Sequence, residues 1–494
     1  MIEGFKPLRA QAALVTGAIV VWMALMPPAR AAAQPGADRV EAPSGAAPDS
    51  LPAGGPAPTG AAPAGPQTRA GERWSLARVV AAALEGNVDA RAAHARTVQA
   101  RGSALRAWSG ILPSVTGQLI YNHIVPDKQS SLTVVYTPTD TLSGLTKREQ
   151  LQTAEAGVRS NLFSVPAWSE KRRQSLLRRG AEESEAEARN GVVYAVKQQY
   201  FALVKAERLA EVARESERLA RDEESRAEAL FEVGTVARGD VLKARARRAT
   251  TQLDRIRADN QIEIQRSKLK QIMGVKPGAA LEIDPTLGEG VALPDSGESV
   301  RTALSSRPEL SRASAVERAA RSGLFGARSE RLPKVVGDLA VDRSKITDRV
   351  SVSGFGDLDF DRYATEWQGT VRLTLPFFDG FALEGGMKSA KGTLLEAEAQ
   401  RRQREVDVAV EVQQAWLSMR EAVQRIDVAK EGLASAEEDY SFSKGRYELG
   451  AGTFLDLLNA QVNLAQAKQS YVEALADAHV AEAALEQAVG SRRY

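Results

Sequence analysis

Phe231-Glu232-Val233-Gly234-Thr235 and Tyr447-Glu448-Leu449-Gly450-Ala451 open two stretches that align without a gap, the first running to Gly274 and the second to Gly490. The offset is 216 residues (447 minus 231), and Asp240/Asp456, Leu242/Leu458, Ala244/Ala460, Leu269/Leu485 and Gln271/Gln487 are shared. An earlier pair matches as well. Ala107, Ser109, Leu112, Pro113, Val115, Gly117 and Leu119 recur as Ala327, Ser329, Leu332, Pro333, Val335, Gly337 and Leu339, an offset of 220 (327 minus 107). Val158-Arg159 with Val371-Arg372 and Gln198-Gln199 with Gln413-Gln414 keep nearly the same spacing. Each unit is far longer than a solenoid repeat, so the chain reads as one internal duplication and not as an array.

Each half has the order helix, strand, strand, long helix, helix. Ser75 to Gly110 and Ser299 to Arg331 are Ala-rich and helix-prone, and each runs into Leu-Pro, where proline stops a helix and favours extended chain. Period two follows: Val115, Gly117, Leu119 and Tyr121 in the first half, Val335, Gly337, Leu339 and Val341 in the second. The partner strands are Val158-x-Ser160-x-Leu162 and Val371-x-Leu373-x-Leu375-x-Phe377, with polar loops expected between them over about Pro126 to Leu151 and Arg343 to Thr365. Downstream lie two helical stretches, Ala167 to Glu232 and Phe381 to Glu448, each about 65 residues and thus ~100 Å long at 1.5 Å per residue. Val412, Trp416, Met419, Val423, Ile426, Leu433 and Tyr440, filled in by Lys430 and Glu437, mark a heptad-like packing seam on the second.

Bulk properties narrow the function. Lys plus Arg total 65 against 63 Asp plus Glu, a net charge of +2, and net charge therefore gives no electrostatic case for nucleic acid or anionic lipid as partner. Cysteine is absent and histidine occurs only at His94, His123 and His479, so Cys-based metal sites and thiol catalysis are excluded. No clustered His, Ser-His-Asp or Gly-rich phosphate signature is present, which leaves an enzyme the poorest reading, with no cofactor expected. Lys6 and Arg9 precede an apolar run from Ala12 to Met26 and the small-residue stretch Ala29 to Ala33, the pattern of a secretory signal peptide over residues 1–33. Residues 34–73, rich in Pro, Ala and Gly, are expected to be a disordered linker. Repeat 1 is then 74–274, a connector 275–298, repeat 2 299–490 and a tail 491–494.

Four strands cannot close a membrane barrel, since the smallest use eight, and an open sheet edge is not tolerated in hydrocarbon. If the strands enter a membrane, several chains must share one barrel with cyclic symmetry, of a copy number the strand count does not fix.

The element order, the lead-ins Ala83-Leu84 with Ala93 and Ala303-Leu304 with Ala313, Ser305-Ser306-Arg307-Pro308-Glu309-Leu310, both Leu-Pro strand entries, Leu375-Pro376-Phe377-Phe378-Asp379-Gly380 and Tyr447-Glu448-Leu449-Gly450-x-x-x-x-x-Asp456-Leu457-Leu458-Asn459-Ala460-Gln461 resemble the TolC-like outer-membrane efflux family, from about Ser75 to Gly490. The resemblance implies a mixed α/β membrane protein: a homotrimer contributing four strands per chain to a twelve-stranded β-barrel in outer-membrane lipid, with a long coiled-coil-like α-helical barrel in the periplasm of a Gram-negative cell. It further implies a passive exit duct for small molecules that works with an inner-membrane transporter and a periplasmic adaptor protein. Type I protein secretion uses the same duct and is the alternative within the family. A soluble periplasmic coiled-coil scaffold or adaptor is the alternative from another class.

The resemblance also assigns the hairpin tips. Val233, Gly234 and Thr235, with Leu449, Gly450 and Ala451, correspond to the adaptor-facing periplasmic entrance, and the two glycines fit left-handed C-terminal caps. Asp456 fits a capping box with Thr453, and under cyclic symmetry it also forms a ring of carboxylates at a constriction that includes Asn459 and Asp240. The family's namesake has a second aspartate where this chain has Asn459, and an arginine, linking two helix pairs near the positions of Asp240 and Tyr447, where this chain has Gly452. Arg238 is the candidate substitute in a gate with Tyr447.

Overall fold

The computed structural model describes residues 73–123, 130–135, 141–288, 292–352 and 356–490. The expected signal peptide, all of the linker except Arg73, and the tail lie outside these residues. The described chain forms two compact units, one helical and one of strands.

In the helical unit the same succession of helices occurs twice: α1 (Leu76–Gly86), α2 (Val88–Arg106), α3 (Val165–Glu232) and α4 (Arg238–Met273), then α5 (Ser296–Ser306), α6 (Pro308–Ser329), α7 (Ala382–Glu448) and α8 (Phe454–Val489). The 68- and 67-residue helices α3 and α7 start within two residues of the bounds read from the sequence and end on them. The lead-in helices are a correction, because each is two helices and not one. Asn87 stays extended and its side chain accepts from the N–H groups of Asp89 and Ala90 (2.8 and 3.2 Å), capping α2 while ending α1. In the second half Arg307 is extended before Pro308, whose ring forbids the preceding residue a helical conformation. A short 3₁₀ turn, Ala107–Gly110, completes the first lead-in.

The duplication is carried into the packing. Val192, Val196, Leu203 and Leu269 are buried in the core of the first half, and the residues 216 positions on, Val408, Val412, Met419 and Leu485, form the core of the second. Ala83 and Ala303 are fully buried in the same two cores. On α7, Val412 and Met419 are buried, and Trp416, Val423, Ile426, Leu433 and Tyr440 are half-buried, so the seam of alternating three and four steps faces protein. The first core is larger because the connector joins it: Leu281 and Ile283 are buried there, Trp74 pairs with Ile283 in a parallel bridge, and the Tyr200 hydroxyl donates to the Asp284 carbonyl at 2.7 Å.

The strand unit holds β1 (Ser114–His123), β2 (Ser130–Val135), β3 (Thr141–Phe163), β4 (Lys334–Val352) and β5 (Gly356–Thr374). β1 pairs antiparallel with β3 from Ser114↔Arg159 to His123↔Gln150, and β2 pairs with the same strand from Ser130↔Thr146 to Val135↔Thr141. β1 and β2 are therefore one interrupted strand, and the sheet order β1-β3-β4-β5 makes a four-strand antiparallel sheet. The polar loops expected over 126–151 and 343–365 are a second correction, since most of their described residues are strand. Arg343, Ser344, Lys345 and Thr347 on β4 and Asp361, Arg362 and Thr365 on β5 leave no apolar alternation of the kind that marks a half-buried strand, although the chain there stays in strand. Cross-strand polar contacts replace it: Lys345 pairs with Asp361 at 2.9 Å, and the Thr347 hydroxyl donates to the same carboxylate at 2.8 Å. On the outer strands most large apolar side chains stand at alternate positions, Val115, Leu119 and Tyr121 on β1 and Tyr363, Trp367, Val371 and Leu373 on β5, all exposed, with Ile120 on the opposite face of β1.

Candidate functional site

Helices α3 and α7 end in the same motif. Val233 and Leu449 leave the helix at φ −88° and −87°, and Gly234 and Gly450 follow at φ +79° and +71°, where a Cβ would be strained. Thr235 N–H donates to Leu230 O (2.9 Å) and Gly234 N–H to Phe231 O (2.9 Å). Ala451 N–H to Arg446 O (2.8 Å) and Gly450 N–H to Tyr447 O (3.0 Å) repeat the pattern. Both tips are Schellman caps, which satisfy helix-end carbonyls and turn the chain back within a few residues. Their apolar members face solvent, Val233 at 72% exposure and Leu449 at 86%. Thr235 and Ala451 are exposed as well.

Asp456 closes a capping box at the start of α8. Its carboxylate accepts from Thr453 N–H at 3.1 Å, and its own N–H donates to the Thr453 hydroxyl at 3.2 Å. These hydrogen bonds, with Arg446 nearby, hold the Asp456 carboxyl below its ordinary range. Asn459, one turn on, is exposed. Asp240, in the first turn of α4, pairs with Lys243 at 3.1 Å.

Tyr447 sits in a small core of Ala227, Val241, Ala244 and Phe454, which draws on α3, α4 and α8, and its ring lies 5.8 Å from that of Phe454. Burial first, then the charges of Glu223 and Asp240, push its hydroxyl pKa up. Arg238 is exposed and makes no hydrogen bond or ion pair among the described residues, so it is not brought to Tyr447 or Asp240. Gly452 is closely packed: an added Cβ would stand 3.1 Å from that of Arg446, a tight contact, and its N–H donates to Arg446 O at 3.1 Å.

Near the tips, one ion pair that joins the two hairpins was missed by the sequence reading. Arg226, on the last turns of α3, donates to Glu448 at the end of α7 (3.1 Å) and lies 3.8 Å from Glu223. Glu223 is 7% exposed, its Oε2 has no hydrogen-bond partner, and burial holds its pKa above the ordinary carboxylate value against the pull of Arg226 and Lys444. A signal was available: Arg226 aligns at the 216 offset with Phe442, a break in repeat symmetry six residues before the tip. Among the described residues no group of His, Cys, Asp and Glu is arranged to hold a metal, and no helix is long and apolar enough to cross a membrane.

An open four-strand sheet that repeats its apolar positions on alternate residues, together with two long helical hairpins from one duplicated unit, defines the class of channel-forming outer-membrane subunits. The model of the outer membrane efflux protein family matches residues 79–275 and 300–491, one match for each half, and the chain belongs to that family. It is similar to the protein CyaE of Bordetella pertussis, 26% identical over 68% of this chain and 72% of that one. A shorter match, 29% identical, covers 38% of this chain and 39% of the alkaline protease secretion protein AprF of Pseudomonas aeruginosa. Among solved structures, the outer membrane protein VceC of Vibrio cholerae superposes with a TM-score of 0.66 at 20% identity, over 84% of this chain and 96% of that one. These likenesses fit a chain that serves as an outer-membrane exit duct.

Proposed function

We propose that the chain is exported on residues 1–33, carries 34–73 as a linker ahead of repeats 74–274 and 299–490, and assembles as a homotrimer in the Gram-negative outer membrane. Three sheets close one twelve-stranded barrel, and the helices of three copies make the periplasmic tunnel. The observation that carries this reading is the sheet itself. β1 and β5 are its outer strands, neither has an outer partner among the described residues, and both expose apolar residues on one face. In hydrocarbon such edges need partners, and other copies of the chain supply them.

The duct is passive and carries no catalysis of its own; an inner-membrane transporter drives cargo into it through a periplasmic adaptor. The exposed apolar residues Val233 and Leu449, set on rigid Schellman turns with Gly234, Thr235, Gly450 and Ala451, are the adaptor contacts in this reading. The cargo is small molecules; the likeness to a protein whose name assigns it to protease secretion favours the type I secretion duct as the second reading. Asp456, in its capping box, forms with its two symmetry mates the acidic ring of the constriction, with Asn459 and Asp240 beside it. The Arg226–Glu448 pair holds the two hairpins of each copy together next to Tyr447, in place of a link from Gly452 or Arg238.

Planar-bilayer recording tests the reading. The wild type is expected to open cation-favouring channels blocked by divalent cations, and Asp456→Ala to lose selectivity and block together. Unaltered selectivity and block remove the acidic ring, and a protein that opens no pore removes the duct.

A further inference from the structure

Antiparallel helices α3 and α6 enclose between them a groove of about 830 Å³ that no part of the duct reading uses. Its walls are two matching rows. On α3, Trp168, Arg172 and Arg179 stand at spacings of four and seven, on one face of the helix. On α6, Phe325, Arg321 and Arg318 stand opposite in reverse order, and all six side chains are exposed. Ser169 and Ser322, both buried, close the floor, where the Ser322 hydroxyl donates to Ser169 O at 2.9 Å.

The groove is graded from aromatic to cationic. At one end the two rings face solvent, Trp168 at 56% exposure and Phe325 at 58%. Further along, no carboxylate lines the groove, although Arg321 reaches past its rim to Glu317 at 2.8 Å and Glu398 at 3.6 Å. Arg172 and Arg179 make no ion pair among the described residues, and Arg318 bonds only to Ser314 on its own helix. Lys171 adds a further cation to the lining, held 4.5 Å over the ring of Trp108. Such a density of unpaired guanidinium groups in one concavity is suited to a phosphate, which accepts bidentate hydrogen bonds from arginine.

Along the chain, Trp168 is five residues from Phe163, the last residue of β3, and Phe325 is nine from Lys334, the first of β4. The aromatic end is thus the end nearest the strands in sequence. Rings at the membrane–water boundary with arginines beyond them are the arrangement that receives a lipid headgroup, acyl chains toward the rings and phosphate toward the cations. We propose that the α3–α6 groove binds the headgroup of an anionic phospholipid of the surrounding leaflet, held by Arg172, Arg179 and Arg318 and bordered by Trp168 and Phe325.

The proposal rests on the membrane insertion proposed above, and the experiment separates the two. The full-length protein is reconstituted in bilayers containing equal fractions of brominated phosphatidylglycerol or brominated phosphatidylcholine, and tryptophan quenching is compared between wild type and Trp168→Phe to isolate Trp168. The expected result is stronger quenching by phosphatidylglycerol, with the preference falling roughly fivefold for each of R172Q, R179Q and R318Q. Inorganic phosphate in solution should leave the preference intact. Equal quenching by both lipids, or a preference that survives the triple variant, overturns the proposal while channel conductance stays normal. Complete displacement by inorganic phosphate makes the groove a small-anion site and overturns the lipid assignment. Absence of all quenching together with absence of conductance overturns the membrane reading itself, and the lipid site with it.

Discussion

Replacing Arg226 by Gln should loosen the duct entrance, by an amount the geometry sets. Arg226 and Glu448 meet at 3.1 Å, but the two side chains are 40% and 48% exposed, so solvent screens the pair. An exposed ion pair of this kind contributes about 0.2–1 kcal/mol. In a trimer the three copies together hold the closed state by roughly 0.6–3 kcal/mol. At about 1.4 kcal/mol per factor of ten, R226Q raises the open population roughly 3- to 100-fold. Single-channel recording reads this as open-state occupancy. Glu448→Gln should give the same rise and the double variant no further rise, because both remove one interaction. High ionic strength should shrink the gap between wild type and variant, since the Debye length falls to about 3 Å at 1 M. If R226Q keeps wild-type occupancy and wild-type salt dependence, the pair is not a lock.

Other perturbations test the site and the fold. The raised pKa of Glu223 means that its carboxyl binds a proton more tightly in the folded chain, so its contribution to stability is full below about pH 4.3, the ordinary value, and is lost as pH rises through the folded value. Glu223→Gln should therefore slow hydrogen exchange at the ends of α3 and α7 at pH 7, and the gain should vanish near pH 4. Thr453→Ala removes the hydroxyl that caps α8 and should cost about 1 kcal/mol, read as faster exchange of the first-turn amides. The lowered pKa of Asp456 has the opposite sign: its capping is present above about pH 3.9, the ordinary value, and fades as pH falls through the folded value. Tyr200→Phe leaves the Asp284 carbonyl without its donor and should cost about 1 kcal/mol by denaturant titration; the Tyr200 hydroxyl, pushed up to about 12 by burial and the charges of Asp284 and Glu207, keeps its proton throughout the accessible range.

What could be read in the sequence was whatever the duplication wrote twice. Val192 and Val408, or Leu269 and Leu485, occupy equivalent core positions because one packing solution serves both halves, and the glycines at 234 and 450 mark where the chain turns at the end of each long helix. The start of the β4 segment past Arg343 is hidden for a physical reason: strand continues through the mostly polar run Arg343, Ser344, Lys345 and Thr347, and period two in hydropathy vanishes there. Asn87 was missed because a cap inside an Ala-rich run leaves no gap in composition, whereas Arg307-Pro308 carried a proline signal that a single-helix reading overrode. At the tips, the caps were legible but the charge pairing was not. Arg226 meets Glu448 across 222 residues of chain, and no local pattern encodes that approach.

The central claim is that copies of this chain complete one another's sheet. The chain has no cysteine, so single cysteines introduced by Leu119→Cys on β1 and Trp367→Cys on β5 report only designed contacts. Cross-linking the double variant in outer membranes with a short bis-maleimide should give a covalent ladder that stops at three copies. A ladder that continues past three, or a membrane-inserted protein that links only within single chains, would contradict the shared trimeric barrel.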